Sequence, residues 1–158
     1  MADSLERMFA YGSNMDVDHL RSRIRTSGYE NARVERSESA KLPGFLLVWN
    51  YYSQSRSGGA ANVDRVANGV SPALALMVNN AGLAGHPNSV TRGDAPVPVR
   101  LAGGTLANAW VYVACVERRR AFVVPPTRAY LNIIVSAAER LGLSITHVET
   151  PTMESSHG

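Results

Sequence analysis

An α+β fold, a small mixed β-barrel with flanking helices, is the architecture this sequence predicts. Three observations lead there. Strand-like runs dominate the middle of the chain, from Phe45 to Val116. Helix-spaced segments fall near the two ends, at 17–25 and 129–141. The two kinds of element do not alternate regularly, which disfavours a doubly wound parallel sheet. With 158 residues, 45% of them hydrophobic and 18% charged, the chain can bury one ordinary core. A single domain is placed at 1–149, ahead of a polar tail at 150–158.

Each element has its own signal. Leu5 to Tyr11 is a short apolar run and reads as a buried strand. Gly12-Ser13-Asn14 follows as a sharp turn, and Asp16 or Asp18 can cap a helix over Val17–Arg25 whose arginines lie on its outer face. Residues 27–41 are polar and hold no strong period. The Pro43-Gly44 pair marks a turn before the strand Phe45–Tyr52. Ser53 to Val63 contains Gly58-Gly59 among small residues, which suits a flexible loop or a close backbone approach. Val70–Val78 is almost continuously apolar, and periodicity does not separate strand from helix there. Asn79–Gly82 and Gly85–Asn88 are breaks. Val97–Leu101 and Leu106–Val116 are two strands joined by Ala102-Gly103-Gly104-Thr105, a hairpin signal. Thr127 caps a helix over Ala129–Leu141, with apolar residues at 130, 131, 133, 134, 137, 138 and 141 and Gly142 as the stop.

Composition narrows the function. The net charge of +3 comes from arginine, since Lys41 is the only lysine. Arg21, Arg23 and Arg25, and the run Arg118-Arg119-Arg120, lack the aromatic interleaving of a nucleic-acid site and read as solvated clusters. Cys115 is the only cysteine, so an internal disulfide is excluded, and its apolar strand makes it a buried thiol. No stretch of about 18 apolar residues offers a membrane span. The acids Asp3 and Glu6 argue against a secretory signal, so the expectation is a cytoplasmic protein.

Catalytic groups are sparse. The four histidines, His19, His86, His147 and His157, form no metal-spaced pair, so neither a metal nor another cofactor is expected. Ser13 lacks the Gly-x-Ser-x-Gly elbow of a serine nucleophile. Between 39 and 138 the only acids are Asp64, Asp94 and Glu117, each among polar or loop residues. The segment Phe9-Ala10-Tyr11-Gly12-Ser13-Asn14-Met15 stands out instead. A strand–turn–helix junction of this kind gathers backbone N–H groups at one spot and suits a carboxylate or phosphate, though it also fits an ordinary loop.

Phe-Ala-Tyr-Gly-Ser-Asn-Met at 9–15 resembles the N-terminal signature of the gamma-glutamylcyclotransferase-like family. Other segments fall in that family's order: Leu42-Pro43-Gly44-Phe45 before a strand, the glycine-rich stretch 53–62, and Gly85-His86-Pro87 with Arg92 and Val97–Leu101. Trp110–Val113 resembles its late strand, and Pro125-Pro126-Thr127-Arg128-Ala129-Tyr130-Leu131 its Pro-Ser-x-x-Tyr-Leu element. The resemblance spans about residues 7–148. It implies a mixed barrel of about six strands with a polar cavity. It also implies that Tyr11, Gly12, Ser13, Asn14 and Met15 hold the carboxylate-and-amine end of a gamma-glutamyl group. Gly58, Gly59, Tyr52, His86 and Tyr130 would line the same cavity, with Tyr11 and Tyr130 close to the chemistry. The implied reaction is internal aminolysis, a lyase or acyltransferase type of step, in which the glutamyl amine attacks its own gamma-carbonyl and 5-oxoproline forms. A biosynthetic tailoring role fits, with a small molecule as the partner, neither nucleic acid nor membrane, and a homodimer left open.

One departure matters. The family's general acid/base glutamate aligns with Ala84, and its aspartate three residues earlier with Ala81. Alanine moves no proton. The chain has diverged, or carries alanine in place of an original glutamate, or another acid serves, the nearest being Asp64 and Asp94. Two alternative functions accompany the departure: a cyclase, lyase or isomerase using Tyr11, Tyr52, His86 or Tyr130 as acid or base, and a non-catalytic small-molecule binder.

Overall fold

The computed structural model of the protein describes residues 5–79, 82–83 and 90–143. Within them the chain runs β1 (Glu6–Ala10), a 3-10 turn (Ser13–Met15), α1 (Val17–Thr26), β2 (Val34–Ser53) and β3 (Gly58–Val78). It continues through β4 (Val90–Arg92), β5 (Val97–Leu101), β6 (Leu106–Ala114), a second 3-10 turn (Val116–Arg118) and α2 (Arg128–Arg140). The strand order is β1-β3-β2-β5-β6-β4, and β1 also pairs with β6. Five strands therefore close into a ring, and the mixed barrel-like fold expected from the sequence is the one observed. Among the described residues one seam is parallel, where Met8 faces Trp110 and Phe9 faces Val111. Every other pairing is antiparallel.

The frame of the barrel is the long β2–β3 hairpin, and here the structure departs from the sequence reading. The polar stretch before Leu42 is already strand from Val34 onward. Pro43-Gly44 is not a turn between elements. It is an irregularity within β2, where the register against β3 shifts between Pro43 and Phe45 and Gly44 adopts φ +84°. A strand that wraps a small barrel has to bend, and a bulge with a left-handed glycine does this without ending the pairing. Further shifts fall between Val34 and Ser37 and between Val48 and Tyr51. Val70–Val78 is strand, because it pairs with β2 on one edge while its last residues pair with β1 on the other. A strand with both edges paired and a buried face reads as an apolar run.

The helices obey their caps. Asp16 Oδ1 accepts from the His19 amide at 3.1 Å, and Thr127 Oγ1 accepts from the Tyr130 amide at 3.2 Å. Gly142 follows α2 with φ +69°. Leu20 and Ile24 of α1, and Tyr130, Leu131, Ile134, Ala137 and Ala138 of α2, are buried on single stripes. They join Met8, Leu42, Trp49, Leu76 and Val99 in one core. Cys115 is half-buried rather than fully buried, lying just past the end of β6. The break after β3 is organised by the buried Asn79. Its Oδ1 accepts from the amides of Arg33 and Gly82, and its Nδ2 donates to the Asn31 carbonyl.

Candidate functional site

The end of β1 opens onto a cavity of about 320 Å³. Its wall draws on several pieces of chain. Tyr11, Gly12, Ser13 and Asn14 come from the segment after β1, and Tyr51, Ser53, Ser55, Arg56, Ala60 and Ala61 from the closed end of the β2–β3 hairpin. His19 and Arg23 come from α1, Tyr112 from β6, and Tyr130 from the first turn of α2. Both helix caps thus act at the site: Asp16 sets where α1 begins, and Thr127 sets where Tyr130 stands.

The cavity is tight at its floor. A Cβ on Gly12 would stand 3.1 Å from both Ala61 Cβ and the Tyr130 hydroxyl. That spacing leaves room for glycine alone without a shift of its neighbours. The Tyr130 hydroxyl accepts from the Ala61 amide at 3.2 Å, and its ring meets Trp49 edge-on at 6.2 Å. The Tyr11 hydroxyl donates to the Tyr112 carbonyl at 2.5 Å, and the Tyr112 hydroxyl donates to the Leu83 carbonyl. Burial pushes the Tyr11 phenol well above its usual range, and the neighbouring Tyr130 and Tyr51 push it further. Burial also raises Tyr130 and Tyr112, with Arg56 and Arg92 opposing it respectively. All three phenols therefore keep their protons at neutral pH and serve as donors, not bases.

Positive charge sits on one side of the cavity. Arg56 Nη2 lies 2.8 Å from His19 Nε2 and 3.3 Å from Ser13 Oγ, and its guanidinium covers the Tyr130 ring at 5.0 Å. Arg23 Nη2 donates to Asn14 Oδ1 at 3.0 Å. Burial and then Arg56 lower the His19 pKa, which leaves the ring neutral and able to accept from Arg56. Burial followed by Arg56 also depresses Arg23. Among the described lining residues there is no aspartate or glutamate. Among the described residues, the arginines that pair with acids are Arg21, Arg33, Arg119 and Arg140.

The residues expected from sequence are distributed unevenly. Tyr11, Gly12, Ser13, Asn14 and Tyr130 line the cavity. Met15 does not: it is 4% exposed and belongs to the core, because the 3-10 turn rotates it inward. Tyr52 points outward at 40% exposure while Tyr51, one residue earlier, lines the cavity, as strand alternation requires. Gly58 and Gly59 permit a close approach, but the approaching group is protein. The Gly59 amide donates to the Pro125 carbonyl at 2.9 Å, and a Cβ on Gly59 would stand 1.9 Å from the Val124 carbonyl oxygen. Ala84 and His86 lie outside the described residues. Sequence reasoning missed Arg23, His19 and Arg56. His19 and Arg23 are four apart and so share a helix face beside the Tyr-Gly-Ser-Asn segment. That spacing sets Arg23 apart from the exposed Arg25 and from Arg21, which is half-buried rather than solvated and donates to the Val34 carbonyl.

The sequence matches no family model and no curated protein. Solved structures do share its fold. A gamma-glutamyl cyclotransferase superposes with a TM-score of 0.70 at 20% identity, over 94% of this chain and 86% of that one. An uncharacterized protein from Homo sapiens gives 0.67 at 22% identity, over 94% and 87%. A gamma-glutamyl cyclotransferase specific to glutathione from yeast gives 0.62 at 13% identity, over 96% and 95%. The chain thus has the fold of the gamma-glutamyl cyclotransferases over nearly its whole length.

Proposed function

We propose that this protein acts on a small amino-acid-derived molecule carrying a gamma-glutamyl group, as a gamma-glutamylcyclotransferase-like enzyme that releases 5-oxoproline and an amine. The observation that carries this reading is the wall formed by Tyr11, Gly12, Ser13, Asn14 and Tyr130 around one cavity. The shared fold supports it.

In this reading the Tyr11–Asn14 segment holds the carboxylate-and-amine end of the ligand. The bound chain is curled so that its α-nitrogen faces its own γ-carbonyl carbon. The α-ammonium first gives up a proton, its freed lone pair attacks, a C–N bond forms, and the carbonyl oxygen takes on negative charge. The attacking nitrogen sheds a second proton, the original amide C–N bond breaks, and the amine departs as an ammonium carrying the two protons that the α-nitrogen lost. No water is consumed. The attack is already intramolecular, and holding both ends of the molecule in place fixes the rotatable bonds so that the nitrogen stays within reach of the carbonyl carbon. In this reading the protonated Tyr130 phenol, whose oxygen accepts from the Ala61 amide, is the donor toward the developing oxyanion, while the Tyr11 hydroxyl keeps donating to the Tyr112 carbonyl.

A second reading keeps the ligand and removes the turnover. It is favoured by one observation: no carboxylate lines the cavity among the described residues, and the three phenols stay protonated. Mass spectrometry on a panel of gamma-glutamyl amines and amino acids separates the two. The enzymatic reading expects 5-oxoproline above the uncatalysed background and a loss of about 10²- to 10³-fold in Tyr130→Phe, the scale of one removed oxyanion donor. Binding without any 5-oxoproline would establish the second reading and overturn the first.

A further inference from the structure

We propose that Arg56 and Arg23 form an anion subsite beside the Tyr11–Asn14 segment, which selects a ligand bearing a second acidic group in addition to its amino-acid carboxylate. The proposal rests on the ligand placement of the preceding reading. An amino-acid head group brings one carboxylate and one ammonium and is neutral as a whole. It leaves the two guanidinium charges of the wall uncompensated. Both are half-buried, and both bond only neutral acceptors among the contacts described: Asn14 Oδ1 for Arg23, Ser13 Oγ and His19 Nε2 for Arg56.

Two like charges facing one cavity, with no carboxylate among its described lining residues, repel each other, and an acidic ligand relieves that repulsion. The guanidinium of Arg56 is also held in a fixed orientation. Tyr130 supports its face, and His19 and Ser13 engage one edge. A planar donor fork with its orientation already set is suited to an oxyanion, whether carboxylate or phosphate. His19 is a positioning residue in this arrangement, since it acts on the ligand through Arg56.

Calorimetric titration of the full chain tests the subsite with three ligands. Gamma-glutamylglycine has two carboxylates, gamma-glutamyl methylamide has one, and glutarate has two without an amine or amide. The unsubstituted chain is expected to bind gamma-glutamylglycine about tenfold tighter than the methylamide, the scale of one desolvated charge pair. Arg56→Gln and Arg23→Gln should each reduce that preference to about twofold while changing the methylamide affinity far less. Equal affinities in the unsubstituted chain, or an undiminished preference in both variants, would overturn the proposal. If neither gamma-glutamyl ligand binds, the head-group reading fails, and glutarate decides the subsite by itself: weakening of about tenfold in Arg56→Gln supports it, and no weakening overturns it. Should a variant not fold, salt gives a reading on the unsubstituted chain. The preference should narrow as ionic strength rises from about 0.05 to 0.5 M, and a preference independent of salt would contradict the subsite.

Discussion

An Ala84→Glu variant is expected to release 5-oxoproline from a gamma-glutamyl substrate about 10²- to 10⁴-fold faster than the chain carrying alanine, the range that a positioned general acid/base contributes. Position 84 is where the family resemblance places that carboxylate, and the wall described above lacks one. Its chain neighbour Leu83 is tied to the cavity, since the Leu83 carbonyl accepts from the hydroxyl of the lining residue Tyr112. The electrostatics also favour the substitution. A carboxylate entering a cavity that holds Arg23 and Arg56 is kept ionised by those charges, which is the state required to take a proton from the substrate ammonium. The check is single-turnover release of 5-oxoproline from gamma-glutamylglycine by both chains. A gain of less than about threefold, with ligand affinity retained, would show that the missing carboxylate is not what limits this site.

Gly59→Ala is expected to lower stability by about 3 kcal/mol, at the upper end of what an overpacked site costs. The reason is backbone against backbone. The added methyl would stand 1.9 Å from the Val124 carbonyl oxygen and 2.8 Å from the Val124 carbonyl carbon. Neither atom can turn aside as a side chain would. The hairpin end and the 124–127 segment must separate, which strains the bond from the Gly59 amide to the Pro125 carbonyl. For a chain of this size that loss is a fall in Tm of roughly 6–12 °C. Gly58→Ala should cost less, because its nearest atoms stand at 3.2 Å and include the Thr127 methyl. Thermal unfolding followed by circular dichroism measures both. An unchanged Tm in Gly59→Ala would mean that the close approach of these two segments is not present in solution.

The legibility of this fold in its sequence varied with the range of the forces involved. The caps at Asp16 and Thr127, the Gly104 hairpin and the helix stripe of 130–141 are local, and each appears where its pattern placed it. The strand beginning at Val34 was hidden, because Glu35 to Glu38 are all exposed and show no alternation, and its pairing partner β3 lies far along the chain. Pro43-Gly44 has the same composition in a bulge as in a turn, and only the pairing of β2 with β3 distinguishes them. In the cavity, the Tyr11–Asn14 segment was legible because one contiguous stretch carries its chemistry. Arg56 was not. Its role depends on a hairpin end meeting α1 and Tyr130 in space, and nothing in Ser55-Arg56-Ser57 itself records that meeting. Gly58-Gly59 was read as a ligand approach because a glycine pair reports closeness without naming what comes close.

On the proposed reading, a gamma-glutamyl ligand enters this cavity head first. Amide chemical-shift mapping during titration with gamma-glutamylglycine tests it most directly. The predicted result is a saturable response concentrated at residues 11–14, 56 and 61, with the Arg56 and Arg23 side-chain signals shifting in step. Saturable shifts centred elsewhere on the barrel, or none at millimolar ligand, would contradict it.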